Sequence, residues 1–200
     1  MLDRLRDHLR SATVTGQTRI GLILAGAVLL LDQLTKWLVL DRLAFSPPGC
    51  LEFQRADMVE RAGMANTCGH LDVSSFFDLT MVWNKGVSFG MLEADNWIGR
   101  TMLVTFSVAI ALTLIAGLFS VGPLQVKRLW QAVAFGLIIG GALGNAVDRV
   151  LYGAVADFLN FSGLMFPWVF NIADVGINLG VAAIVLDVFV LDRAKADNKL

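Results

Sequence analysis

Charge is what this chain has least of. Only 16% of its 200 residues are Asp, Glu, Lys or Arg, where a soluble domain carries about 25%. With 56% hydrophobic residues and a mean hydropathy of +0.66, that shortage excludes an ordinary water-soluble globule and points to an integral membrane protein. Basic residues form no patch with interleaved aromatics, so a nucleic-acid surface is excluded. There are two histidines, and His8 and His70 lie far apart in the sequence. His70 is near Cys68 but has no second histidine beside it, so no metal is expected, and no other cofactor is called for. The first 19 residues are too polar and charged for the apolar core of a cleaved signal peptide. The first apolar segment is therefore expected to stay as an anchor.

Four stretches are apolar for long enough to cross about 30 Å of hydrocarbon, which takes roughly 20 helical residues. They cover about 21–40, 101–121, 129–147 and 169–191, in a single membrane domain spanning 1–200. Lys and Arg in the short flanks set the orientation. Arg4, Arg6, Arg10 and Arg19 precede the first span, Lys127 and Arg128 join the second to the third, and Arg193, Lys195 and Lys199 follow the fourth. Only Arg149 marks the edge of the loop between the third and fourth. Both termini are expected in the cytoplasm. That topology puts Asp32, Lys36, Asn145, Asp148, Arg149, Asn171 and Asp174 at the outer ends of spans, on the side of the loop residues Asn84 and Asp157. Asp187 alone falls near the inner face, and is expected to be an interfacial residue near Arg193.

The first outside loop, about 41–100, is long for a structureless connection. Residues 76–83 alternate loosely with β-branched and aromatic side chains, which predicts short strands. Gly86 suits a turn after them. Residues 95–98 are expected to open a short interfacial helix, and 46–70 reads as an irregular excursion. That excursion holds the only two cysteines, Cys50 and Cys68. A disulfide would close a loop of about 18 residues and contribute about 3 kcal/mol in the chain-entropy model; two separate thiols are the alternative.

A carboxylate in lipid costs about 2.5–3.5 kcal/mol on translocon scales, so acids at membrane depth are functional candidates. Several have a plain structural use. Asp32 and Lys36 are spaced i, i+4 and face one another on a helix. Asp148 and Arg149 are expected to form an interfacial ion pair. Gly136, Gly140 and Gly144 form overlapping GxxxG patterns that bring helices close, and Asn145 and Asn171 offer donors and acceptors for orienting a carboxylate. Asp157 and Asp174 differ, because no Lys or Arg lies between Arg149 and Arg193. Asp157 sits among apolar neighbours, which disfavour its charge. Asp174 lies in the first turns of a helix, whose positive end favours charge. Two acids so placed suit one proton shared between them. A proton-coupled carrier would put its acids near the midplane and often shows repeats, whereas here the polar groups crowd one face and no repeat is visible. A scaffold using the acids as interhelical glue is the third class.

Five ordered segments carry a resemblance: Asp32-Gln-Leu-Thr-Lys36, Asn84-Lys-Gly-Val-Ser-Phe89, Gly140-Gly-Ala-Leu-Gly-Asn-Ala-Val-Asp-Arg149, Val155-Ala-Asp-Phe158 and Phe170-Asn-Ile-Ala-Asp174. Over roughly 21–190 the chain resembles bacterial lipoprotein signal peptidase (signal peptidase II), a membrane aspartic protease. The resemblance implies an all-α membrane protein of four helices, with a small extracytoplasmic β-cradle formed mainly by the first outside loop. It implies an endopeptidase of the inner membrane that removes signal peptides from diacylglyceryl-modified prolipoproteins before the lipidated cysteine. Asp157 and Asp174 would be its catalytic pair on the periplasmic side. Asn84, Gly86, Asn145, Arg149 and Asn171 would shape the substrate site, Asp32, Lys36 and Asp148 would support it, and residues 93–99 would form a mobile helix over it. The expected partners are prolipoprotein substrates and membrane lipid, with the enzyme a monomer. Two departures stand out: the 46–70 excursion is longer than the family pattern, and Val175 follows Asp174 where a small residue is expected.

Overall fold

A computed structural model describes residues 14–56, 60, 64–86, 97–121 and 124–191. The flanking Arg4, Arg6, Arg10, Arg193, Lys195 and Lys199, residues 87–89 of the Asn84 segment, and residues 93–96 lie outside these. Helix α1 (Gly16–Trp37) continues through a π-helical turn, Leu38–Arg42. Then come α2 (Cys50–Arg55), β1 (His70–Asp72), β2 (Asp78–Asn84), α3 (Trp97–Leu118) and α4 (Leu129–Leu151). Strands β3 (Val155–Asn160) and β4 (Val169–Phe170) lead into α5 (Ile172–Leu186), prolonged by the π-helical turn Asp187–Leu191. Among the described residues, four helical segments are long and apolar enough to cross a membrane: Gly16–Arg42, Trp97–Leu118, Leu129–Leu151 and Ile172–Phe189.

Two of the helix starts are closed by side chains. Thr15 Oγ1 accepts from the Thr18 amide at 3.1 Å while Thr18 Oγ1 accepts from the Thr15 amide at 3.2 Å, the reciprocal pattern of a capping box. Gln131 Oε1 takes the amides of Lys127 and Arg128 ahead of α4. At the other end of α4, Gly153 adopts φ +77° and turns the chain into β3. A Cβ there would lie 2.6 Å from the Arg100 guanidinium carbon, the movable end of a flexible side chain, so it is the backbone sign that calls for glycine.

Contacts gather into two compact units. The first comprises Met1–Leu30, Phe106–Gly144 and Ala173–Leu200. Its core is Ala25, Ala111, Leu114, Leu118, Ala132, Phe135, Ile138 and Ile139 with their neighbours. Small residues set the spacing, since a Cβ on Gly140 would lie 2.6 Å from the Ala25 carbonyl oxygen; the GxxxG pattern is packing. Asp187 is buried here, with Arg128 Nη1 at 2.6 Å and Gln131 Nε2 at 2.7 Å. Asp187 thus pairs with Arg128; Arg193, expected near it, lies outside the described residues.

The second unit comprises Leu31–Thr105 and Asn145–Ile172. It holds a four-stranded antiparallel sheet in the order β1-β2-β3-β4. Strands β1 and β2 come from the first outside loop, and β3 and β4 from the segment after α4. Val169 and Phe170 pair with Asn160 and Leu159 as β4, which is why the fourth helix starts later than the apolar run. Within the 46–70 excursion lies α2, and Cys50 is joined to Cys68 with Cα atoms 4.8 Å apart. Trp97 and Ile98 of the expected short helix lie in α3, and residues 95 and 96 fall outside the described ones. The unit's apolar core is Val39, Phe45, Cys50, Met81, Trp83, Ala154, Ala156 and Phe158.

A candidate active site around Asp157

β2 and β3 place the first acid. Their register runs Leu79 with Leu159 but Val82 with Asp157, so β2 carries one extra residue, a bulge. The bulge puts Asp157 opposite Val82 and Asn84 opposite Val155. Residues two apart share a face of a strand, so Asn84 and Asp157 are diagonal neighbours on one face. Asn84 Nδ2 donates to Asp157 Oδ2 at 3.0 Å, and Asn171 Nδ2 donates to Oδ1 at 2.6 Å. Asp157 is 1% exposed.

Both amides have one orientation only. Asn84 Oδ1 accepts from the Gly86 amide at 3.0 Å, and a backbone N–H cannot accept, so Nδ2 must face Asp157. Lys36 Nζ donates to Asn145 Oδ1 at 3.3 Å, and that same oxygen accepts from Asn171 Nδ2 at 3.2 Å. An ammonium has no acceptor, so Asn145 must present its oxygen, and Asn171 must present its NH2 to both Asn145 and Asp157. The polarity of the chain Lys36, Asn145, Asn171, Asp157 is thus set at the lysine end. Two N–H donors suit a carboxylate. The apolar sequence neighbours of Asp157 therefore misstate its surroundings, because the polar partners come from other elements.

Lys36 is held in turn. Asp32 Oδ2 and Asp148 Oδ2 each lie 2.8 Å from its Nζ, and all three side chains are buried. Gln33 Nε2 bridges the two acids at 3.1 Å each. Asp148 Oδ2 also accepts from the Ala156 amide at 3.0 Å, one residue before Asp157. The expected Asp148–Arg149 ion pair is replaced: Asp148 pairs with Lys36, while Arg149 Nη2 reaches the Gly86 carbonyl at 2.7 Å and Nη1 the Asn145 carbonyl at 3.3 Å. Successive residues on a helix point about 100° apart and do not face each other.

Of the residues singled out from sequence, Asp32, Lys36, Asn84, Gly86, Asn145, Asp148, Arg149, Asp157 and Asn171 meet in this one network of the second unit. Asp174 belongs to the first unit, in the first turn of α5. It is 9% exposed and follows Asn171 by three residues. Cys50 and Cys68 stand apart from the network but reach it through a residue sequence reasoning passed over. Gln54 Nε2 donates to the Met81 carbonyl at 2.9 Å, and its Oε1 accepts from the Trp83 amide at 2.7 Å. Its amide thereby pairs with β2 as a neighbouring strand would, next to Asn84. Gln33 was passed over as well; its place beside Asp32 was the available signal, while Gln54 offered none.

A family model described as signal peptidase (SPase) II matches residues 24–190. The chain is 37% identical over 190 residues to the lipoprotein signal peptidase of Caulobacter vibrioides, covering 94% of this chain and 98% of that one. It is 35% identical over 185 residues to that of Rhodopseudomonas palustris, covering 89% and 97%. Two solved structures of bacterial membrane enzymes, both by the in meso method, share the fold. One has a TM-score of 0.63 at 24% identity, covering 84% of this chain and 86% of its own. The other has a TM-score of 0.60 at 26% identity, covering 85% and 92%.

Proposed function

The chain belongs to the signal peptidase II family, and we infer that it removes signal peptides from prolipoproteins with Asp157 and Asp174 as its two acids. The observation that carries this assignment is the amide clasp on Asp157. A buried carboxylate is gripped on both oxygens by asparagines whose orientation is fixed from elsewhere, as a preoriented reacting group requires. The family resemblance supplies Asp174, on α5 just after Asn171.

The proposed chemistry is aspartic and needs no metal. The pair shares one proton, and a water lies between the two acids. The ionised member takes a proton from the water as its oxygen attacks the carbonyl before the lipidated cysteine. The protonated member hydrogen-bonds the developing oxyanion. Collapse of the tetrahedral intermediate breaks the C–N bond, and the leaving amine receives a proton from the pair. The signal peptide lies among the helices while the diacylglyceryl chains stay in lipid. From the placement of Lys and Arg, the enzyme is a multi-pass protein of the inner membrane with both termini cytoplasmic and the acids on the periplasmic side. It is proposed to act as a monomer.

Asp157→Asn and Asp174→Asn, purified in detergent, are each expected to lower cleavage of a diacylglyceryl-modified prolipoprotein by about 100-fold or more while the fold is retained by circular dichroism. Near-normal turnover in either variant would remove that residue from the chemistry.

A further inference from the structure

A cavity of about 570 Å³ opens beside the network. It shares Gln33, Lys36 and Asp148 with that network but is not lined by Asn84, Asn145, Asp157 or Asn171, so it is a separate space. Its volume falls in the range of small-molecule sites.

Among the described residues the lining holds three acids, Asp41, Glu52 and Asp148, and one base, Lys36, which is already held by Asp32 and Asp148 at 2.8 Å each. Asp41 and Glu52 also line the cavity, are exposed, and bond through their carboxylates to no described residue. Three aromatic rings, Trp37, Trp83 and Tyr152, complete the wall. Trp83 and Tyr152 lie 5.3 Å apart and are tilted by 54°, so they form two sides of a corner. The Trp37 ring already carries the Arg42 guanidinium at 5.0 Å, which shows a cation settling on it. Aromatic faces combined with free carboxylates are the chemistry that recognises an ammonium group.

The surroundings select the rest of the ligand. Trp37 stands at the end of the first apolar span, where Leu34 and Leu38 are exposed. The lining also has Leu40, Pro47, Pro48 and Leu51, an apolar path from an ammonium toward the bilayer. We propose that this cavity is a lipid site that holds a phospholipid with an ammonium headgroup, its ammonium among Trp37, Trp83, Tyr152, Asp41 and Glu52 and its chains leaving along α1. The 46–55 segment that supplies one wall is anchored by the Cys50–Cys68 bond.

The test is native mass spectrometry of the full chain released from neutral maltoside micelles. The micelles carry phosphatidylcholine and phosphatidylglycerol with identical acyl chains. The expected result is one retained phosphatidylcholine in preference to phosphatidylglycerol. The double variant Asp41→Asn, Glu52→Gln should lower that preference by about 3- to 10-fold. Both carboxylates are exposed and unbonded to described residues, so the variant should fold. Equal retention of the two lipids, or an unchanged preference in the double variant, would overturn the proposal. Retention of free phosphocholine as strongly as of the lipid would overturn the lipid assignment. The measurement does not involve peptidase activity, so Asp157→Asn is expected to keep the same lipid preference.

Discussion

Two buried ionic clusters in this molecule use the same ingredients differently. In the first unit Asp187 meets Arg128 and Gln131, and Arg128 keeps 24% of its side chain exposed. In the second unit Lys36 sits between Asp32 and Asp148 with no side chain more than 3% exposed. The Lys36 cluster passes its polarity through two asparagines to Asp157. The two clusters differ in onward connection rather than in burial of charge: the Lys36 ammonium orients an amide, and the next amide orients an acid. A buried ion pair is in any case weak evidence for stability, since desolvation offsets much of the attraction.

The sharpest way to break this comparison is to remove one cation from each cluster. Lys36→Met leaves Asp32 and Asp148 buried without their ammonium. It is expected to cost about 3–5 kcal/mol and to abolish turnover, since Asn145 and then Asn171 lose the group that fixes their orientation. Arg128→Met is expected to cost less, on the order of 1–2 kcal/mol, because the site is part-exposed and Gln131 still donates to Asp187. Its turnover should stay within about 2-fold of normal, because Arg128, Gln131 and Asp187 belong to the first unit and Asp157 to the second. Thermal melts in detergent, paired with cleavage rates, separate the two. Equal losses of turnover would erase the distinction.

A smaller effect tests the wall of the second unit. The double variant Cys50→Ser, Cys68→Ser should lose about 2–4 kcal/mol, read as a lower melting temperature that reductant no longer shifts. The wild type should melt lower with reductant. If reductant leaves the wild type unmoved, the bond does not anchor this segment.

The contrast between the clusters was half legible from the amino acids. The four apolar runs, the Asp32–Lys36 spacing and the glycine pattern of α4 depend on local sequence, and each appears in the structure, the fourth run beginning as helix only at Ile172. Asp148 shows the limit. Its neighbour Arg149 was the obvious partner, but helix geometry points the two apart, and the true partner lies on another helix at no spacing the sequence reveals. Val169 and Phe170 show a second limit: a short apolar run does not distinguish a buried strand from the start of a helix. Asp187 shows a third, since its partner Arg128 is distant in the chain. Asp157 lay between these cases, identifiable as an acid without a local cation but not as one clasped by amides from β2 and from the residue between β4 and α5.

Gln54 gives the finest measurement of how far the second unit's wall supports its network. The side chain makes two hydrogen bonds to β2, at Met81 O and Trp83 N, and Nε2 also lies 3.1 Å from Cys68 Sγ. Gln54→Leu removes the partners of a carbonyl and an amide on a strand one residue from Asn84. The expected cost is about 1–2 kcal/mol, small beside Lys36→Met. It should be local: amide exchange at Trp83 should quicken while exchange in α4 stays as it was. Because Asn84 still has its Gly86 contact, turnover should fall only about 2- to 5-fold, a loss equivalent to about 0.4–1 kcal/mol. Slower turnover with an unchanged Trp83 amide would mean that Gln54 acts on the substrate rather than on the strand. Faster Trp83 exchange with full turnover would mean that Asn84 keeps its place on Asp157 without help from the strand edge, and that the polar chain from Lys36 suffices to hold the acid.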